Sequence, residues 1–211
     1  MGEEQIVSNG DTAFPIASLA VGLWCRFPDL GDLLLGHFYM RCPALVPVFF
    51  SREAMDSEVE YLRLCGYKLL EENRLETETQ FVRRVGGLAR LYVAILQTPL
   101  PPWHDSSGAR VWQWLALCMN AAAAIREPSL VATLVSTFLE VAGWALQRDY
   151  GHQFRKLLHC LCKDYFPRLK QHKEAASGGP VARLEGLLQQ VLRRGQLDRP
   201  QASTAANNCL R

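Results

Sequence analysis

The sequence predicts an all-α fold of about eight antiparallel helices. Three observations predict it. Apolar residues recur at spacings of three and four in segment after segment. Capping and breaking residues bracket those segments. No segment alternates apolar and polar residues as a half-buried strand does. Eight apolar stripes cannot share one four-helix seam, so helix pairs stacked as in an α-solenoid are expected, with repeats too degenerate to show as sequence repeats. The chain has 211 residues, 49% hydrophobic and 21% charged, enough to bury an ordinary core without staples.

Asp11 and Thr12 offer caps, Pro15 suits a first turn, and apolar residues run on to Trp24. Leu30, Leu33, Leu34 and Phe38 share a side of a second helix, roughly Leu30–Arg41, which Cys42-Pro43 ends. Pro43 and Pro47 mark an extended connector. Ser57-x-x-Glu60 is a capping box ahead of Tyr61, Leu62 and Leu64, with Gly66 as the stop. A second box, Thr77-x-x-Gln80, opens a longer helix bearing Phe81, Val85, Leu88, Tyr92, Ile95 and Leu96. Gly86-Gly87 inside it follows no strand and precedes no G-K-[ST], so it marks close helix–helix approach or a bend rather than a phosphate loop.

Thr98–Gly108 reads as a loop. Val111–Met119 is helical through Trp112, Leu115 and Met119, and Ala121–Ala124 extends or bridges it. Glu127-Pro128-Ser129 starts a helix whose stripe is Leu130, Leu134, Phe138, Val141 and Ala145. Asp149 is expected to cap the next, which carries Phe154, Leu157, Leu158, Leu161 and Tyr165. Ala176–Pro180 breaks the chain before a last helix, about Val181–Arg194. One helical domain is expected over 1–197 and a flexible polar tail over 198–211.

Seven cysteines, at 25, 42, 65, 118, 160, 162 and 209, mostly lie in apolar stretches. They read as small buried hydrophobes in a reducing compartment. Cys160-x-Cys162 has neither zinc nor common redox spacing. The apolar run Ala13–Cys25 follows acids and is cut by Arg26, so neither secretion nor membrane insertion is expected. Nucleophile-elbow, Walker A, H-E-x-x-H and dinucleotide fingerprints are missing, and His159-Cys160 are adjacent, pointing apart on a helix. No enzyme and no metal centre are expected.

Net charge is only +2, but its distribution is uneven. Residues 1–105 carry 14 acids against 9 Lys/Arg, and residues 106–211 carry 7 against 14. His37 and Arg41, four apart, share a helix face but form a weak anion site. Arg148–Lys173 holds seven Lys/Arg against two acids. Within it Arg155, His159 and Lys163 line one face, and Arg168, Lys170, His172 and Lys173 continue the charge. A solvated face and a docking patch for an acidic protein surface or phosphate both suit this run. Direct nucleic-acid binding is not expected, because exposed aromatics are not interleaved with these charges.

Several short pieces occur together: Phe14-Pro-Ile-Ala17, Pro28-Asp-Leu-Gly-Asp-Leu33, Cys42-Pro43 with Val46-Pro47, and Gly66-Tyr67. Further on stand Arg84-x-x-Gly87-x-x-Arg90-Leu-Tyr92, Trp112-x-Trp114-Leu-Ala116, Phe138-Leu-Glu-Val-x-Gly143, Gln153-Phe154-x-Lys156 and Asp164-Tyr-Phe-Pro-Arg168. In this order the chain resembles the C-terminal domain of the Gle-one mRNA-export nucleoporin family, without that domain's first helices. The resemblance implies a HEAT-like helical domain at the cytoplasmic face of the nuclear pore complex, with cytoplasm and nucleus as further locations. It implies binding of a DEAD-box RNA helicase, stimulation of its ATPase, and inositol hexakisphosphate as a bridging ligand. It also implies an FG-type nucleoporin as partner, with translation factors as further ones. The family's lysine pair before Cys-Pro is Met40-Arg41 here. Arg41, with His37, is therefore the expected remnant of the inositol-phosphate site, and weak binding is expected. The alternative is a helical scaffold that keeps nucleoporin or helicase partners without phosphate-dependent activation.

Overall fold

A computed structural model describes residues 10–50, 57–70, 74–98, 107–121, 124, 126–171 and 179–200. A 3-10 turn, Gly10–Thr12, leads into α1 (Ala13–Arg26) and α2 (Asp29–Arg41). A second such turn, Pro43–Leu45, precedes α3 (Glu58–Leu64) and α4 (Glu78–Gln97). There follow α5 (Ser107–Asn120), α6 (Pro128–Cys160), a π-helical turn Leu161–Tyr165, α7 (Phe166–Lys170) and α8 (Gly179–Arg194). The fold is all-helical, as expected, and the described residues contain no strand beyond an isolated bridge between Leu69 and Leu75.

The apolar stripes decide which helices meet. α6 is the central member and packs on α4, α5 and α8, while α1 lies on α4. A ladder of rings runs through the core. Trp114 stacks on Phe138 at 3.8 Å, Phe138 meets Tyr92, and Tyr92 meets Phe38 edge-on at 5.5 Å. The indole Nε1 of Trp114 donates to the Ala44 carbonyl at 2.9 Å, so the one polar atom of that buried side chain is satisfied. Gly86 marks close helix approach, as its position in the stripe implies. A Cβ there would stand 3.0 Å from Thr133 Cγ2 of α6.

The two capping boxes differ. Thr77 Oγ1 accepts from Gln80 N at 3.4 Å and Gln80 Oε1 accepts from Thr77 N at 3.0 Å, closing the box at the start of α4. Ser57 does precede α3, but its side chain makes no cap bond. Gly66 ends that segment with φ +97. Asp149 is not a cap. The helix runs through it, its carboxylate pairs with Arg148 at 2.6 Å, and the bend comes at Gly151, with φ 46 and ψ −110. Lacking a Cβ, glycine takes this geometry, and the kink divides the run into two helical stretches, so the break expected here falls two residues after Asp149.

From Pro128 to Lys170 the helical run is long and apolar enough to cross a membrane, yet 72% of its apolar window is buried in the fold. It is a core helix here. Cys42 and Cys118 are buried, whereas Cys160 is exposed, contrary to the expectation of burial; it ends α6 between the exposed Lys156 and the exposed Asp164 of the π turn. Cys209 lies outside the described residues. Beyond α8, residues Gly195–Pro200 fold back on α6; of the expected tail, 201–211 lie outside the described residues.

Candidate partner-binding face

After the bend at Gly151, α6, the π turn and α7 form one ridge. Phe154, Leu157, Leu158, Leu161, Tyr165, Phe166 and Leu169 face the core. His152, Arg155, Lys156, His159, Lys163 and Arg168 are exposed. Arg155, His159 and Lys163 recur every four residues, while the step to Arg168 is five. A π turn closes its hydrogen bonds over five residues, so the wider turn at Leu161–Tyr165 absorbs that step. From Arg155 to Arg168 the ridge extends about 20 Å at 1.5 Å per residue. Its buried underside fixes the backbone, and the charged ends stay in water.

The structure separates the predicted patch residues. Arg155, His159, Lys163 and Arg168 stand on the ridge together. Lys170 is exposed but leaves it: its Nζ donates to Glu185 of α8 at 2.8 Å, so its charge is already paired. Lys173, like His172, lies outside the described residues. Sequence reasoning missed Lys156 and His152; their signal was the position opposite Leu158 and Leu161. Cys162, beneath Lys163, has its thiol pushed up by burial, and the lysine charge opposes that shift.

His37 and Arg41 are exposed on α2, four residues apart, as their spacing predicts. Arg41 occupies the last turn, where a cation complements the negative end of the helix dipole. That same dipole opposes a polyanion, and Met40 beside Arg41 offers only an exposed apolar side chain.

Other arginines of the quoted motifs serve the fold. Arg84 is buried against Glu76 and donates to the Gly66 carbonyl at 2.8 Å. Arg90 Nη2 donates to Glu140 Oε2 at 2.7 Å, and Arg183 of α8 holds the same carboxylate. Glu140 thereby joins α4, α6 and α8. Tyr61 donates to Glu127 at 2.5 Å, and burial with that carboxylate pushes its phenol well above the ordinary range. Among the described residues no group of three His, Cys, Asp or Glu is placed to hold a metal ion.

The model of the family described as GLE1-like protein matches residues 1–162. The chain is 36% identical over 207 residues to the mRNA export factor GLE1 of Rattus norvegicus, covering 94% of this chain and 29% of that protein. Against the mRNA export factor Gle1 of Drosophila melanogaster it is 35% identical over 199 residues, covering 92% and 28%. Against the Saccharomyces cerevisiae factor it is 26% identical over 194 residues, covering 89% and 34%. The chain thus spans about three tenths of the length of these relatives. A solved S. cerevisiae complex, in which the C-terminal domain of a Dbp5 variant is bound to Gle1 and IP6, contains a chain of the same fold. The TM-score is 0.81 at 22% identity, over 95% of this chain and 67% of that one.

Proposed function

The chain belongs to the GLE1-like protein family, and on that premise we propose that it serves mRNA export as a regulator of a DEAD-box RNA helicase. The working unit is the helical domain expected over 1–197. It binds the helicase and stimulates its ATPase, and hydrolysis belongs to the helicase alone. Inositol hexakisphosphate bridges the two proteins, held on this side by Arg41 and His37. An FG-type nucleoporin anchors the chain at the cytoplasmic face of the nuclear pore, and translation factors are further partners in the cytoplasm. The observation that carries this reading is the likeness to mRNA export factors over nearly the whole chain. The solved complex of like fold, which holds Dbp5 and IP6, supports the choice of partner and ligand.

The basic ridge supplies the docking face. Arg155, Lys156, Lys163 and Arg168, with His159, point outward from a packed helix, and the exposed Asp164 is the one acid among them. Such a face steers an acidic partner and orients it on arrival. The deciding experiment is the ATPase rate of the matching helicase with and without this chain, each with and without inositol hexakisphosphate. Stimulation that rises with the ligand supports the reading. Absence of any stimulation, with binding intact, leaves the scaffold reading, which the pairing of Met40 with Arg41 favours.

A further inference from the structure

After α8 the chain reverses at Gly195, with φ +68, and lies along α6 as a short strap. Its attachment resembles peptide recognition more than helix packing. The Gln147 side chain reads the strap backbone on both sides: Oε1 accepts from Leu197 N at 3.0 Å, and Nε2 donates to the Gly195 carbonyl at 3.1 Å. Leu197 is the strap's only large apolar side chain, and it is buried. It fills a hole floored by Gly143, where a Cβ would stand 2.4 Å from Leu197 Cδ1. The Asp198 carboxylate accepts from Gln190 at 3.0 Å and from Arg194 at 2.7 Å. Arg148 and Arg199 both lie against the Trp144 ring, at 5.1 and 4.9 Å from its centre. Beside them a cavity of about 350 Å³ stays open between Trp144, Gln147, Arg148 and the strap.

We infer that this groove between α6 and α8 is a docking site for an extended peptide bearing a leucine followed by an acidic residue, with the strap as its occupant in cis. An amide that pairs with backbone, a hole sized for one branched side chain and cations at the rim serve a segment of another chain equally well. One buried leucine and two amide hydrogen bonds, with the solvent-exposed contacts of Asp198 and Arg199 adding little, are opposed by the ordering of the strap's backbone and side chains, an effect of similar size. The strap is therefore displaceable. The cavity beside Trp144 gives an incoming segment its first foothold. The inference is independent of the helicase reading, since Gly143, Trp144, Gln147, Gln190, Arg194 and the strap are none of the residues assigned to the ridge or to the inositol-phosphate site.

The test uses the full chain and a labelled synthetic peptide of residues 194–200. In anisotropy titrations the Leu197→Asp chain should bind the peptide about tenfold more tightly than the unaltered chain, because a tethered competitor at high effective concentration is removed. Adding Gly143→Leu, which fills the hole, should abolish that binding. Equal affinities, or no binding to Leu197→Asp, overturn the inference. Hydrogen exchange on the unaltered chain decides independently, should the variants misfold. The Leu197 amide should exchange at least about a thousandfold faster than that of Val135 in the core, as a locally opening segment does. Equal protection makes the strap part of the core and overturns the inference.

Discussion

Glu76 and Arg84 meet as a buried ion pair that ties the loop after α3 to the first turns of α4. Arg84 Nε donates to Glu76 Oε2 at 3.2 Å, its Nη2 holds both Glu76 Oε1 and the Gly66 carbonyl, and Glu76 Oε1 also accepts from Lys68 N at 2.8 Å. Arg84 Nη1 has no partner in the structure. A pair with one donor already unsatisfied contributes little net stability when intact, but losing one member strands a buried charge. Glu76→Ala should cost about 3–5 kcal/mol in urea unfolding. A shift under about 1 kcal/mol would show that Arg84 finds water instead.

Two glycines of α2 should respond oppositely to alanine. A Cβ at Gly31 would stand 2.0 Å from the ring of Trp24, a bulky buried side chain, whereas nothing lies within 4 Å of Gly36. Gly36→Ala should stabilise by up to about 1 kcal/mol through helix propensity. Gly31→Ala should instead destabilise by about 1–3 kcal/mol, as overpacked sites do. Thermal melts of the two variants moving the same way would contradict the close approach of α1 and α2.

Charge reversal at Arg155, Lys163 and Arg168 together should leave the helical signal and Tm nearly unchanged, since exposed charges add little stability. Association with the helicase should slow several-fold at low salt and converge with the unaltered chain at high salt, where the Debye length shrinks. Stopped-flow traces independent of salt would reduce the ridge to a solvated face. Lys170→Glu belongs to a different experiment, because it opposes Glu185 rather than baring the ridge.

Inositol hexakisphosphate should bind weakly in calorimetry, with Arg41→Ala weakening it further. One arginine and a neighbouring histidine cannot neutralise a polyanion as a lysine cluster does, and the end of α2 repels it. Tight binding that survives Arg41→Ala would move the ligand to the ridge.

Stability should fall as pH rises above about 9. Burial pushes the thiols of Cys42 and Cys118 up to about 12, and that of Cys65 to about 11. Unfolding returns each to its ordinary value near 9. The unfolded chain therefore releases these protons first, and each fully buried thiol removes about 1.4 kcal/mol per pH unit between the two values. Below pH 9 these groups are neutral in both states and contribute no slope. Melts in reductant from pH 8 to 11 check this, and a flat profile refutes it. Exposed Cys160 should be alkylated before either buried thiol.

Helix positions were legible because burial imprints a period on the chain, and the Thr77–Gln80 box because both its bonds are local. Asp149-Tyr150-Gly151 was not. An aspartate that caps a new helix and a glycine that breaks an old one leave the same letters, and the kink falls at Gly151. Lys170 misled for a related reason: its partner Glu185 stands on another helix, fifteen residues on. Arg84 left a usable sign, a charge set between Phe81 and Leu88 on an apolar stripe, which demands a buried acid. The ridge was readable as charge, but Gly195–Pro200 was not readable as a bound segment, because a polar stretch with one leucine looks like a loose end.

The central place of α6 has a consequence for how the chain is made. α4, on which α1 rests, packs chiefly on α6, and so does much of the inner face of α5. Emerging from the ribosome, the first five helices lack their main packing partner until Pro128–Cys160 has been synthesised. At roughly 5–20 residues per second that interval lasts several seconds. During it Phe81, Val85, Leu88 and Ile95 of α4 face water or a chaperone. A nascent chain stalled before Pro128 should thus be a strong chaperone client, and one stalled after the end of α8 a weak one.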